Sequence, residues 1–239
     1  MGVRTAQVQA PAIARPVVTP VEKFEVILGG GGRVTALTYA AQRKTGVLVL
    51  AHGAGANQSH PFMVRVASGL AQRGIETTTF NFLYTEEGRR APDPTPKLEA
   101  CFRDVIGAVR ARGSSDVDRL FLGVKSMGGR MASHLAAQGE RGLRGLVFLG
   151  YPLHPPGKPE QLRSEHLARI DIPMLFVQGT RDPFGTPLEL RPVLEGLGGT
   201  AQVFPVELGD HSFNVPKRSG LTEDVIMTSV LDRVAGFCR

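Results

Sequence analysis

Three residues whose types could perform nucleophilic chemistry, Ser126, Asp182 and His211, occur in that order, and each follows an apolar run that reads as a β-strand. A serine hydroxyl is a weak nucleophile near neutral pH. A neighbouring imidazole must take its proton, and a carboxylate must hold that imidazole in the useful tautomer. Ser126 lies within Leu120 to Leu135, where an apolar strand runs through the serine into a helix. Such a sharp turn pushes Oγ out of the sheet, and the first amide of the helix faces the same space, where it can bind a developing oxyanion. The usual spacing is Gly-x-Ser-x-Gly, because strand and helix pass too closely for side chains two positions from the serine. Gly128 meets that spacing, whereas Val124 stands where the first glycine is expected.

Asp182 comes soon after the apolar run Met174 to Val177, and His211 soon after Ala201 to Val206. Both positions fall at the carboxyl ends of strands, the edge of an open α/β sheet at which sites form. Rival acids are less well placed. Asp210 is adjacent to the histidine and would have to fold back onto its ring, and Asp171 precedes its strand and so lies at the opposite end of the sheet. His52-Gly53-Ala54-Gly55 follows the strand Val47 to Ala51, which makes the backbone N–H groups of Ala54 and Met127 the expected oxyanion hole. His52 itself is expected to pin this loop by a hydrogen bond. If the serine is a nucleophile, Ser126 should have positive φ, with Oγ within hydrogen-bond reach of His211 Nε2.

Other segments must position these groups. Phe24 to Leu28 and Val34 to Tyr39 read as two strands joined by a four-glycine turn. Ile75 to Phe80, Gly145 to Leu149 and Pro173 to Gln178 add further strands. Phe62, Val66 and Leu70 mark one face of a helix ending before Gly74, and a second helix, about Lys97 to Arg112, should bury Leu98, Phe102, Val105 and Val109. Thr186 to Leu197 and Leu221 to Phe237 complete the helices. This alternation predicts an α/β fold: a mostly parallel sheet with helices on both faces and the first hairpin as its antiparallel edge. Residues 1–20 read as a flexible tail and 21–239 as a single domain. Asn81 to Pro96 reads as a long polar connection, and Gly150 to Ile170 as a proline-rich segment too short for a large lid.

At 239 residues and 42% hydrophobic, the chain can bury one substantial core. The net charge of +6 is dispersed, aromatic residues make up 6%, and tryptophan is absent, so neither a basic stripe nor a stacking platform for nucleic acid is evident. No apolar run reaches the ~18 residues of a membrane span. Cys101 and Cys238 offer neither a disulfide framework nor metal-ligand spacing. A soluble, cytoplasmic protein is expected, monomeric or homodimeric, without metal or cofactor, acting on a small ester-type molecule. A dinucleotide site at Gly53-x-Gly55 fails because Gln58 replaces the third glycine and Asn81 stands where an acid should hold a ribose.

The chain resembles α/β hydrolases of the dienelactone-hydrolase-like group. Within them it resembles a small family that includes a testis-expressed hydrolase-like protein and a subunit of a chromatin acetyltransferase complex. The resemblance runs from about Val47 to the C-terminal helix. It rests on His52 to Gly55, Asn81 to Arg90, Lys125 to Met131, Gly150 to Gly157, and Asp210 to Ser212. It implies the α/β-hydrolase fold and a Ser126–Asp182–His211 triad, hence a serine esterase or thioesterase, with no established substrate. Dienelactone hydrolases proper use a cysteine, so the serine departs from them, as Val124 departs from the family's glycine. Asn57, Tyr84, Tyr151 and His154 are the expected pocket residues, although Tyr151 and His154 fit a rigid proline-rich connection equally well. Arg89 and Arg90 either bind an anionic group or pair with Glu86 and Glu87. Because a relative sits in a chromatin complex, a non-catalytic interaction module is the alternative function.

Overall fold

The computed structural model describes residues 21–113, 120–197 and 199–239, and the expected tail over residues 1–20 lies outside them. The chain runs β1 (Val21–Ile27), β2 (Arg33–Tyr39), β3 (Gly46–Ala51), α1 (Pro61–Ala71), β4 (Ile75–Phe80), α2 (Leu83–Glu86), α3 (Thr95–Arg112) and β5 (Leu120–Lys125). It continues through α4 (Met127–Ala137), β6 (Leu143–Leu149), β7 (Met174–Gly179), α5 (Pro187–Glu195), β8 (Ala201–Val206) and α6 (Glu223–Phe237). The strands form one eight-stranded sheet ordered β1-β2-β4-β3-β5-β6-β7-β8. β1 pairs antiparallel with β2 and β2 with β4, and all later pairings are parallel.

The central strands β3, β5 and β7 are buried along their whole length, as parallel strands covered on both faces must be. Their side chains alternate between two cores. Val49, Leu122, Val124, Phe148 and Phe176 meet Phe102, Met131 and Leu135 on one face, under α3 and α4. Leu48, Leu50, Phe121, Val147 and Val177 meet Met63, Leu70, Leu231 and Val234 on the other, under α1 and α6. Burial of each large apolar side chain contributes about 1.5–3 kcal/mol. Consecutive residues at the end of β5 therefore serve opposite faces: Val124 enters the α3/α4 core, and Lys125 turns towards α1 and α6.

Most helices follow the sequence reading, and α3 buries Leu98, Phe102 and Val105 as its spacing requires, with Val109 only partly covered. The segment Asn81 to Pro96 differs from its expectation as a polar connection. It holds α2, and Phe82, Leu83 and Tyr84 are buried in the α3/α4 core. Three adjacent apolar side chains anchor it, and the polar residues around them mask that anchor in the sequence. Between β6 and β7 the only regular structure among the described residues is a 3-10 turn, Glu165–Arg169, so no large lid covers the carboxyl ends of the strands.

Candidate active site

β5 ends at Lys125 and α4 begins at Met127, so Ser126 alone makes the turn, at φ 52 and ψ −115. Non-glycine residues hold such values only where their surroundings impose them. Here the imposition is crowding: a Cβ at Gly128 would lie 3.0 Å from His52 O and 3.1 Å from Ala51 Cβ. Val124 does not undo the turn. Its isopropyl group faces Gly129, where even an added Cβ would lie 3.6 Å from Val124 Cγ2, and the α3/α4 core absorbs its volume.

Asp182 and His211 come from loops after β7 and β8 and meet with Oδ2 2.7 Å from Nδ1. The carboxylate is 2% exposed. It also accepts hydrogen bonds from Gln178 Nε2 on Oδ2 at 2.8 Å and from the Phe184 N–H on Oδ1 at 2.9 Å. With Oδ2 as acceptor, the imidazole proton resides on Nδ1 and leaves Nε2 as the basic nitrogen. Nε2 is buried and has no hydrogen-bond partner among the described residues. The expected bond from Ser126 Oγ to Nε2 is thus not formed, although both residues border the same pocket. Bonds of this kind are commonly long before a substrate arrives. Asp210 is engaged elsewhere, accepting from the Ser212 N–H at 2.8 Å and the Asn214 N–H at 2.9 Å.

Gln178 escaped the sequence reading. It is fully buried on β7, where its amide donates to Asp182 and to Gly185 O at 2.6 Å and accepts from the Tyr151 N–H at 2.8 Å. The signal was available: an amide closing an otherwise apolar strand must find buried partners, and an aspartate follows four residues later.

Met127 follows the serine directly, Ala54 borders the same pocket as Ser126, and neither backbone N–H has an acceptor among the described residues. His52 pins the loop beside them. Its Nδ1 lies 2.8 Å from Gly53 O, and Nε2 accepts from the Phe82 N–H at 3.2 Å. Burial pushes its imidazole down to about 4. Because the folded value lies below the ordinary 6.5, stability is fully present above 6.5 and declines as pH falls towards 4. The thermal midpoint should fall over that interval, and more shallowly in His52→Gln, whose amide oxygen can still accept from Phe82. His166 is also pushed down to about 4, first by burial and then by His134, so a residual slope should remain.

Ser126 and His211 border a pocket of about 580 Å³ whose walls include Ala54, Phe62, Met63, Lys125, Phe213 and Met227. None of the four side chains expected to line it is among its walls. Tyr151 is fully buried in the α3/α4 core, with its hydroxyl donating to Arg163 O at 2.7 Å. Tyr84 is buried with Phe82, and His154 is 5% exposed with Nε2 3.3 Å from Glu189. Asn57 is exposed and accepts from the Ser59 N–H, shaping a turn. The pocket lies on the α1/α6 side, whereas Tyr84, Tyr151 and His154 follow strands in positions that favour core packing. Arg89 pairs with Glu87 and Asp93, so it belongs to an ion-paired loop. A larger groove, about 670 Å³, lies at the amino ends of β3 and β5 beside Val47 and Leu120 and contains none of these groups.

An eight-stranded, mostly parallel sheet with a strained serine after β5, an acid after β7 and a histidine after β8 defines an α/β hydrolase. The chain belongs to the family described as alpha/beta hydrolase domain, which matches residues 44–239. Solved structures share the fold at low identity. A dienelactone hydrolase from Anabaena variabilis is 20% identical with a TM-score of 0.71, covering 92% of this chain and 96% of its own. An α/β serine hydrolase homologue from Coxiella burnetii is 16% identical with a TM-score of 0.70, at 92% and 99% coverage. A lidless α/β serine hydrolase from Xanthomonas campestris is 18% identical with a TM-score of 0.66, at 93% and 93% coverage.

Proposed function

We propose that the protein is a serine hydrolase of carboxylic esters or thioesters with small or exposed acyl groups. The observation that carries this reading is the Asp182–His211 pair, whose free Nε2 borders the same pocket as the strained Ser126. In this scheme His211 takes the Ser126 proton as Oγ attacks the ester carbonyl, and the Ala54 and Met127 amides hold the oxyanion. The imidazolium then protonates the leaving alcohol or thiol. Water, deprotonated by His211, cleaves the acyl-enzyme and restores the serine. Every step uses groups of this chain and water. The open pocket and the short β6–β7 connection favour compact substrates. Within the family we group the chain with the testis-expressed hydrolase-like proteins, on the strings at His52, Asn81, Lys125 and Gly150.

A fluorophosphonate probe with short p-nitrophenyl esters tests the proposal. Wild type should be labelled and turn over the esters, and Ser126→Ala should do neither while keeping its thermal midpoint. A folded wild type that is neither labelled nor active would remove the enzymatic reading and favour a non-catalytic interaction module.

A further inference from the structure

The scheme above leaves one buried charge beside the serine without a task. Lys125 is 9% exposed and lines the pocket together with Ser126 and His211. Strand alternation sends its side chain to the α1/α6 face, where Nζ lies 5.7 Å from the Phe62 ring centre and 6.0 Å from that of Phe213. Among the described residues no carboxylate lies within ion-pair distance of it. Its hydrogen bond goes instead to the backbone carbonyl of His211, at 2.5 Å. The ammonium and the imidazole also flank one point, since a Cβ at Gly150 would lie 3.1 Å from both Nζ and His211 Nδ1.

The loop that carries His211 needs such a tether. Two non-glycine residues near the histidine have positive φ, Leu208 at 58 and Phe213 at 68, a strained backbone that persists only when surrounding contacts hold it. Asp182 fixes one ring nitrogen and so sets the tautomer. It does not act on the backbone of residue 211, and the neighbouring bonds, from the Arg181 N–H to Gly209 O at 2.9 Å and from the Asp210 N–H to Asn214 O at 3.0 Å, stop short of that residue. The Lys125 bond acts on that backbone, and a charged donor holds a carbonyl more strongly than a neutral amine does.

We propose that Lys125 is a positioning residue for His211: its protonated ammonium, bonded to the histidine's own carbonyl, holds the imidazole between Asp182 and Ser126, and the site is competent only while Lys125 keeps its proton. The proposal rests on the hydrolase reading for its kinetic consequence but not for its structural one. Burial pushes the Lys125 ammonium down to about 8, against the opposing pull of Asp182 and Asp210. The other charged and titratable groups around the pocket are His211 itself, with His60, Arg65 and Glu223 on the α1 and α6 walls. Arg65 is paired with Glu223 at 2.6 Å and Asp224 at 2.5 Å. As pH rises through about 8 the ammonium is lost, the hold weakens, and kcat should fall with KM little changed.

The test compares wild type, Lys125→Met, which keeps the aliphatic stem, and Lys125→Arg, which keeps a charged donor. Lys125→Met should lower kcat by about 10- to 100-fold, the scale of a small misplacement of a catalytic group, and should lack the alkaline limb near pH 8. Lys125→Arg should recover most of the rate and move that limb to higher pH. The nitrogen-15 signals of the His211 ring, assigned with His211→Gln, supply a readout that needs no turnover. They should inflect near pH 8 in wild type and not in Lys125→Met. An inflection in a wild type that neither reacts with the fluorophosphonate nor cleaves esters would support the tether while the hydrolase reading fails. A wild-type ring without that inflection, or a Lys125→Met enzyme with the wild-type rate and alkaline limb, would overturn the proposal.

Discussion

Asp182→Asn should reduce kcat by about 10⁴-fold with KM little changed, the loss expected when a triad histidine is held in the wrong tautomer. The structure explains why a one-atom change would act so strongly. Oδ2 receives two donors, Gln178 Nε2 at 2.8 Å and His211 Nδ1 at 2.7 Å. An asparagine that places its oxygen there satisfies both but gives up the charge that would stabilise an imidazolium. One that places its amide there donates to Nδ1, moves the ring proton to Nε2 and removes the base that Ser126 needs. Steady-state kinetics on a p-nitrophenyl ester check the outcome, with the thermal midpoint as control. An Asp182→Asn enzyme within tenfold of wild type would mean that this carboxylate is only a turn-capping group, the ordinary use of an aspartate after a strand.

Gly179→Ala should disable the site by a different route. Gly179 ends β7 beneath the loop that carries the histidine, and an added Cβ would lie 2.4 Å from Gly209 O and 2.4 Å from Asp210 O. Both obstacles are backbone atoms, so no side-chain rotation relieves the clash. The segment at residues 209 and 210 must move away from β7, and His211 moves with it. Overpacking of this sort typically costs about 1–3 kcal/mol. Unlike Asp182→Asn, the variant should therefore lose both thermal stability and turnover. Denaturant unfolding alongside kcat measures the two losses together. A variant as stable as wild type would show that the His211 loop yields easily, which would also weaken the case for a tether at Lys125.

Much of the fold was legible because it depends on short-range pattern. Continuous apolar runs such as Val47 to Ala51 marked the buried strands, and the Phe62, Val66, Leu70 spacing marked α1. The chain order of serine, acid and histidine, together with their positions after strands, was enough to bring Ser126, Asp182 and His211 to one end of the sheet. The pocket was less accessible to sequence reasoning. Its walls come from α1, α6 and the His211 loop, which meet only through the tertiary packing of one sheet face, and Tyr151 and His154 lie in a string that follows β6 yet point into other surroundings. Gln178 and Lys125 were hidden for a related reason: each is a polar residue whose meaning lies in a contact with a distant loop, 27 residues away for Gln178 with Tyr151 and 86 for Lys125 with His211. Val124 misled in the opposite direction, since the glycine that matters opposite it is Gly129 in the following helix.

The alternation at the end of β5 also separates what this protein can change from what it must keep. Gln178 and Tyr151, which brace the acid, belong to the α3/α4 side, whereas Phe62 and Ile226, partly buried on the pocket wall, belong to α1 and α6. Substitutions confined to those two helices can reshape the substrate cavity without reaching the bracing of Asp182. New substrate preferences are therefore open to gradual change along one side of the sheet, while the other side keeps the bracing of Asp182 intact.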